Sequence, residues 1–248
     1  MISYGKTDIG QVRSENQDFF GITEGEDWVS AVVCDGMGGA AGGSIASELA
    51  VCVYTDELCK AVSLENEEPN RQFIKNAMIN AVAKANTEVF RRASSDSELV
   101  GMGTTLVACF THGKKTGVVN VGDSRLYGVT SDGLKQITKD HSYVQYLVDM
   151  GRITEEEALN HPKRNIILKA LGIGSVVEPD FFWIEGFDGV LLCSDGLINY
   201  LDEAEIVRIV LSDATAEEKV KLLIDGANEN GGGDNITVVL LMREANNG

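Results

Sequence analysis

The chain has 248 residues, 44% of them hydrophobic, enough for one large domain around a sizeable core. Asp and Glu number 38 against 21 Lys and Arg, and the formal net charge of −17 repels phosphate backbones and anionic lipid. Nucleic acid and membrane insertion are therefore not expected. The start, MISYGKTDIG, lacks the basic and apolar stretches of a signal peptide, and no segment reaches the roughly 18 apolar residues of a membrane span. A cytoplasmic location is the expectation. Cysteines 34, 52, 59, 109 and 193 form no CxxC pair, so free thiols fit better than zinc or disulfides.

In chain order, a Val- and Ala-rich run predicts a strand over 28–34. Ala-rich patterns with an apolar stripe predict helices over 44–62 and 71–93. Strands follow over 105–110 and 117–121. Asp132-Gly133 then reads as a tight turn between strands over 126–130 and 134–137. Ser142 with Gln145 marks a helix start, and residues 189–193 predict another strand. Asp202 with Glu205, and Thr215 with Glu218, are capping-box pairs opening two further helices; Leu201 and Ile206 are placed to staple the first. The last strand covers 236–242. Strict strand–helix alternation is absent, which argues against a doubly wound parallel sheet and for an α+β fold with helices outside an antiparallel sandwich.

Carboxylates gather at the ends of these strands. Asp35, Asp123 and Asp195 each follow a predicted strand and Asp234 precedes the last one, so antiparallel pairing can bring all four to one mouth of the sandwich. Four carboxylates packed together repel unless cations sit among them. Oxygen donors without His or Cys select hard ions, Mg²⁺ or Mn²⁺, over zinc. Each Asp-Gly taken singly is equally an ordinary turn.

The set taken together resembles the metal-dependent protein phosphatase family, type 2C, in its short bacterial form. The matching segments are Arg13-Ser14-Glu15-Asn16-Gln17-Asp18, Asp35-Gly36-Met37-Gly38-Gly39, Gly103-Thr104-Thr105, Asn120-Val121-Gly122-Asp123-Ser124-Arg125, Asp140-His141-Ser142, Ser194-Asp195-Gly196-Leu197 and Asp234-Asn235-Ile236-Thr237. They run in the family's order along nearly the whole chain. The resemblance implies a four-layer αββα sandwich, two antiparallel β-sheets flanked by helices, as a single catalytic domain over 1–248 with a flap around 142–170. It implies two tightly bound Mn²⁺ or Mg²⁺ ions. Asp35 would bridge them, Asp195 and Asp234 would hold the first, and the Gly36 carbonyl and, largely through water, Asp18 the second. Asp123 would hold a weaker third ion, with Asp195 lending an oxygen. A hydroxide between the two ions would then hydrolyse phosphoserine and phosphothreonine in proteins, with Arg13, Asp35 and Asp195 as catalytic residues and Arg13 as the phosphate clamp.

The implied partners are phosphorylated proteins, including a bacterial Ser/Thr kinase and its targets, and a monomer is expected. Asn235 is expected to orient loops. Many eukaryotic members carry His after the first Asp-Gly, a candidate general acid; here Met37 cannot donate, and His161 in the flap is the candidate general acid, with a metal-bound water as its rival. His141 is taken as structural and His112 as an exposed strand end. A nucleotide-binding reading of residues 36–43 fails, since no Gly-Lys-Ser/Thr follows. The rival of a different class is a catalytically silent, phosphoprotein-binding member of the same fold, but such a member would be expected to have lost a ligand, and none is missing. A phosphorylated anti-sigma antagonist of the sporulation type is the rival substrate, but members acting on it usually carry extra sensor or membrane domains, and the size of this chain fits a partner of a Ser/Thr kinase better.

Overall fold

Several strands are apolar on both faces, so each sheet needs two covers. The structure, a computed structural model, describes residues 1–65 and 68–244. The chain begins with strands β1 (Ile2–Asp8), β2 (Asp18–Glu24) and β3 (Trp28–Met37), then helices α1 (Gly39–Leu64) and α2 (Arg71–Ser95). Strands β4 (Gly103–Thr104), β5 (Leu106–His112), β6 (Lys115–Val121), β7 (Arg125–Thr130) and β8 (Gly133–Gln136) follow, and then short helices α3 (Tyr143–Asp149) and α4 (Glu155–Leu159). The remainder is β9 (Asp180–Glu185), β10 (Gly189–Cys193), α5 (Asp195–Ile198), α6 (Glu203–Val210), α7 (Ala216–Glu229) and β11 (Ile236–Met242).

One sheet has the order β1-β11-β10-β7-β8 and the other β2-β3-β5-β6-β9, with β4 paired to the end of β3 and every ladder antiparallel. The alternation along β3 shows how the layers form. Ala31 and Val33 fill the space between the sheets with Val107, Leu126, Leu192 and Val239. Val32 and Cys34 face the other way and pack with Tyr54, Met78 and Val89 of α1 and α2. On the far side, Leu191, Val238 and Leu240 meet Leu223 and Ile224 of α7. Each such Val, Leu, Ile or Met side chain stabilises the fold by about 1.5–3 kcal/mol on burial. The expected αββα sandwich is the fold observed. No described helix is long and apolar enough to cross a membrane.

Several local expectations shift. β3 continues three residues past the predicted end, because Gly36 and Met37 pair with Thr104 and Gly103. Asp35 therefore sits in a strand rather than in a turn. α1 starts at Gly39, ahead of the predicted Ser44. Thr215 and Glu218 form a full capping box, whereas Asp202 only accepts from the Glu205 amide while the Glu205 carboxylate pairs with Arg208. Ser142 likewise caps α3 alone, Gln145 reaching Asp149 instead. Strands β1 and β2 had no clear apolar run to announce them, and β9, whose Phe181–Ile184 run is apolar, was not among the expected strands. His112 ends β5 as expected but is half-buried, not exposed.

The segment between β8 and β9 is tied back to the helical layer by Asn86. This side chain, 1% exposed, accepts from the Gly172 amide at 2.9 Å and donates to the Gly174 carbonyl at 3.0 Å. Asn86→Ala would leave the buried Gly172 amide unpaired, so it should cost about 2 kcal/mol in a urea denaturation. A wild-type midpoint and slope would show that the tie carries no stability.

Candidate active site

The mouth of the sandwich is built by backbone contacts that only small residues permit. Gly36 lies so close to α1 that a Cβ there would stand 2.0 Å from the Gly43 carbonyl oxygen. Gly196, in the first turn of α5, would put a Cβ 1.9 Å from the Asn235 carbonyl oxygen. These two contacts bring Asp35, Asp195 and Asp234 to one cavity of about 510 Å³, which Arg13, Glu15, Gln17, Met37, Asp123, Asn165 and Ile167 also line.

Hydroxyls hold the backbone of Asp35 and the carboxylate of Asp18, the Asn199 side chain holds Asp195, and Arg13 and the Asn235 backbone amide hold Asp234. The Asp35 amide donates to Thr105 Oγ1 at 2.9 Å, and the Asp35 carbonyl accepts from the Thr105 amide and Thr104 Oγ1, both at 2.8 Å. Asp18, paired with Asp35 across β2 and β3, is buried behind the cavity wall. Its Oδ2 accepts from Ser194 Oγ at 2.6 Å and Thr237 Oγ1 at 2.7 Å, both on the opposite sheet's side. Asn199 donates to Asp195 Oδ2 at 2.9 Å. Asn235 donates to the carbonyls of Ile9 and Glu15 and accepts from the Gln17 amide, all at 2.9 Å. It thus holds the loop that carries Arg13, as expected of it. Arg13, whose side chain is 52% exposed, donates from Nη2 to Asp234 Oδ2 at 2.8 Å.

Asp123 comes from a tight turn between β6 and β7. Arg125 grips Asp140 through Nε at 2.9 Å and Nη2 at 2.7 Å, and the Gly122 amide donates to His141 Nδ1 at 3.0 Å. Ser124 Oγ shares a 2.7 Å hydrogen bond with Thr105 Oγ1, which links this turn to Asp35.

Burial and mutual repulsion raise the proton affinity of these groups. Desolvation, with Asp18, Asp195, Asp123 and Asp234 nearby, pushes Asp35 well above the usual carboxylate range. Desolvation lifts Asp18 to about 7 despite its two hydroxyl donors. Asp123 rises to about 7 through burial and then Asp195 and Asp140, and Asp195 to about 6 through burial and then Asp234. For Arg13, burial works against the charge, but Asp234, Asp35 and Asp195 more than offset it and hold the guanidinium protonated. Arg13 is the one cation among the described residues that line the cavity.

Does this donor set suit a divalent ion? Oδ1 of Asp18, Asp123 and Asp195 is in each case buried without a hydrogen-bond partner. Unpaired anionic oxygens in a dry site are costly, and a cation removes that cost. All the donors are oxygens, as hard ions require, and the missing Cβ at Gly36 leaves backbone close to the cavity. Among the described residues, no three His, Cys, Asp or Glu side chains form a ready-made cage. A hard ion that keeps several waters does not need one. The residues fit.

The structure thus brings Arg13, Asp35, Gly36, Asp123, Asp195 and Asp234 to one cavity, with Asp18 behind it. It does not bring His161 there. That ring accepts from the Lys163 amide at 3.1 Å through Nδ1 and lies 6.2 Å from Tyr143, centroid to centroid, away from the cavity lining. The geometry gives no support to His161 as a general acid. The hydroxyls of Ser194, Thr237 and Thr105 escaped sequence reasoning, although all three lie inside matched motifs. Asn165 and Ile167 carried no signal at all.

The family model for protein phosphatase 2C matches residues 10–221. A serine/threonine phosphatase of Listeria innocua is 42% identical over 241 residues, covering 96% of this chain and 94% of that protein. The crystal structure of the serine/threonine phosphatase Stp1 from Staphylococcus aureus superposes with a TM-score of 0.89 at 37% identity, covering 98% of this chain and 95% of that one. That of the Mycobacterium tuberculosis phosphatase PstP/Ppp gives 0.85 at 35% identity, over 98% and 99%. With fold, motif order and carboxylate placement in agreement, the chain belongs to the protein phosphatase 2C family of metal-dependent enzymes.

Proposed function

We propose that this enzyme hydrolyses phosphoserine and phosphothreonine in proteins at the carboxylate-lined cavity, with divalent cations, Mn²⁺ or Mg²⁺, held by its aspartates. The observation that carries the reading is the concentration of buried carboxylate oxygens, three without a partner, around a cavity whose lining offers Arg13 as its cation. Phosphate is itself an anion, so this lining attracts it only once positive charge is added. Asp35, the Gly36 carbonyl, Asp195 and Asp234 would hold two ions with help from Asp18, and Asp123 a weaker third. When bound, such ions lower the pKa of a water to near neutrality and offset phosphate charge.

The chain's own groups do the rest. Arg13 stands at the cavity edge with a planar fork able to take two phosphate oxygens. Its bond to Asp234 sets the angle of that fork. Met37 lines the cavity without a proton to give, so protonation of the leaving oxygen falls to water. Phosphorylated proteins, among them a Ser/Thr kinase and its targets, are the proposed substrates, and a monomer is the proposed unit. The silent-member alternative loses ground because Asp18, Asp35, Asp123, Asp195 and Asp234 all keep their carboxylates and face or back the cavity.

The direct test is a metal-stripped sample assayed on a phosphothreonine peptide. Activity should be absent without Mn²⁺ and return with it; activity that ignores Mn²⁺ would reject the reading. Asp35→Ala, Asp195→Ala or Asp234→Ala should each lower kcat by about 10²-fold or more. Near-normal turnover in Asp195→Ala would overturn the ligand assignment. Arg13→Ala should chiefly raise KM, by about 10-fold, and a collapsed kcat at unchanged KM would move Arg13 from substrate binding to another role.

Stability gives an independent check. In the metal-free protein Asp18, Asp123 and Asp195 have folded pKa values of about 6 to 7 against roughly 4 unfolded. The folded state thus holds protons more tightly. Its stability is greatest below about pH 4 as far as these groups decide, and is lost as pH rises through 6 to 7. The metal-free melting temperature should fall by on the order of 5 °C between pH 5.5 and 8. Mn²⁺ should recover that loss at pH 8, and Asp18→Asn should reduce it. A melting curve indifferent to both would show that the carboxylates are not strained without ions.

A further inference from the structure

The carboxylate of Asp123 is poorly secured by its own atoms. It is buried, its Oδ1 has no hydrogen-bond partner, and it projects from a turn whose preceding residue, Gly122, has φ +108°. Its direction therefore depends on what fixes the backbone at Gly122. Three hydrogen bonds do so; one is a long 3.4 Å bond from Asn120 Nδ2 to the Gly122 carbonyl, and the two shorter ones belong to His141. The Gly122 amide donates to the ring Nδ1 at 3.0 Å, and the Gly122 carbonyl accepts from the His141 amide at 2.9 Å.

The ring is fixed in turn from the other side. Because Nδ1 accepts, the neutral ring carries its proton on Nε2, and Nε2 lies 3.2 Å from Asp180 Oδ2 at the start of β9. Asp180 is steadied by Lys169, 3.4 Å from its Oδ1, and Lys169 also donates to the Glu178 carbonyl at 3.1 Å. A carboxylate that orients a histidine, which in turn orients a ligand, is a familiar way to tune metal sites. Here the last link runs through a backbone amide rather than a direct bond.

We propose that His141, oriented by Asp180, is a positioning residue for Asp123: it holds the Gly122–Asp123 turn so that the Asp123 carboxylate faces the cavity. The inference rests on the reading of Asp123 as ligand to the weaker ion. Loss of the ring removes the partner of the Gly122 amide and lets the turn rotate. The ion held by few protein oxygens loses affinity first, while Asp35, Asp195 and Asp234 sit on other elements and keep theirs.

The test counts free Mn²⁺ by electron paramagnetic resonance during titration of the metal-stripped protein, with melting curves in parallel. His141→Ala should weaken the low-affinity phase by about 10-fold and leave the tight phase unchanged. His141→Asn places its amide oxygen where Nδ1 stood and should restore the weak phase. His141→Gln, with its oxygen nearer the Nε2 position, should not. Asp180→Asn, at a half-exposed position, keeps the inference open to test even if His141→Ala fails to fold, and should weaken the same phase by about 3-fold. Lower melting temperatures with wild-type Mn²⁺ binding in the His141 and Asp180 variants would overturn the positioning role. Asp123→Ala separates the two levels of argument. If it loses the weak phase while the His141 and Asp180 variants keep theirs, only the positioning inference falls. If Asp123→Ala itself binds Mn²⁺ like the wild type, the ligand reading falls and the inference with it.

Discussion

Like charges crowded into a dry space are the constraint around which this structure is arranged. Asp18 shows it most clearly. It sits at the seam between the two sheets, on β2, and accepts hydrogen bonds from the hydroxyls of Ser194 and Thr237 at the ends of β10 and β11. One of its oxygens is thereby tied to the opposite sheet while the other is left bare. The hydroxyls lower the cost of burial without removing it, since the group still titrates near neutrality. A site that is strained when empty and relieved when filled binds cations by construction.

That arrangement also resolves the conflict between net charge and substrate. A chain of net charge −17 presents a poor long-range field to a phosphoprotein. Over distances beyond a Debye length of about 8 Å, however, solution ions screen the surface, and what the phosphate meets is the local cavity. There the sign is decided by Arg13 and by whatever cations the aspartates hold. The exposed Arg13 can reach an incoming group and still keep its bond to Asp234.

Much of this was legible in the residues because charge, turn and strand signals coincided. Asp35, Asp123, Asp195 and Asp234 were picked out by their positions at strand ends, and the cavity contains all four. The central strands were legible because they are apolar on both faces. Less visible were β1 and β2, whose Lys6, Asp8, Thr23 and Glu24 break the pattern at a partly solvated edge. The start of α1 was hidden for a different reason. Gly42 and Gly43 are poor helix formers, and tertiary contact with β3 and Gln17 overrides that preference. His161 was drawn in by the chemistry of imidazole, and nothing in its neighbours' sequence could reveal that its ring packs on Tyr143 instead. The hydroxyls around Asp18 and Asp35 were obscure because Ser and Thr in strands are ordinary; only the register puts them opposite a carboxylate.

The division between rigid and adjustable parts follows from how each acidic group is mounted. Asp35 and Asp195 stand on backbone held in van der Waals contact at Gly36 and Gly196, where even a methyl group would meet a carbonyl oxygen. Their separation is thus set by main-chain packing, which deforms little at low energy. Asp123 is mounted on a turn whose geometry is borrowed from Arg125, Asp140 and His141, three side chains that come from β7 and the stretch before α3. Side-chain hydrogen bonds of this kind contribute about 1 kcal/mol each and can be exchanged for water, whereas an interlocked backbone cannot. Positions mounted on packed main chain suit ions that stay bound, and a position mounted on a hydrogen-bonded turn suits one that comes and goes. On the proposed assignment of ions to these aspartates, the same fold would carry a fixed part and an adjustable part of its cation site, distinguished by the physical nature of the contacts beneath each aspartate.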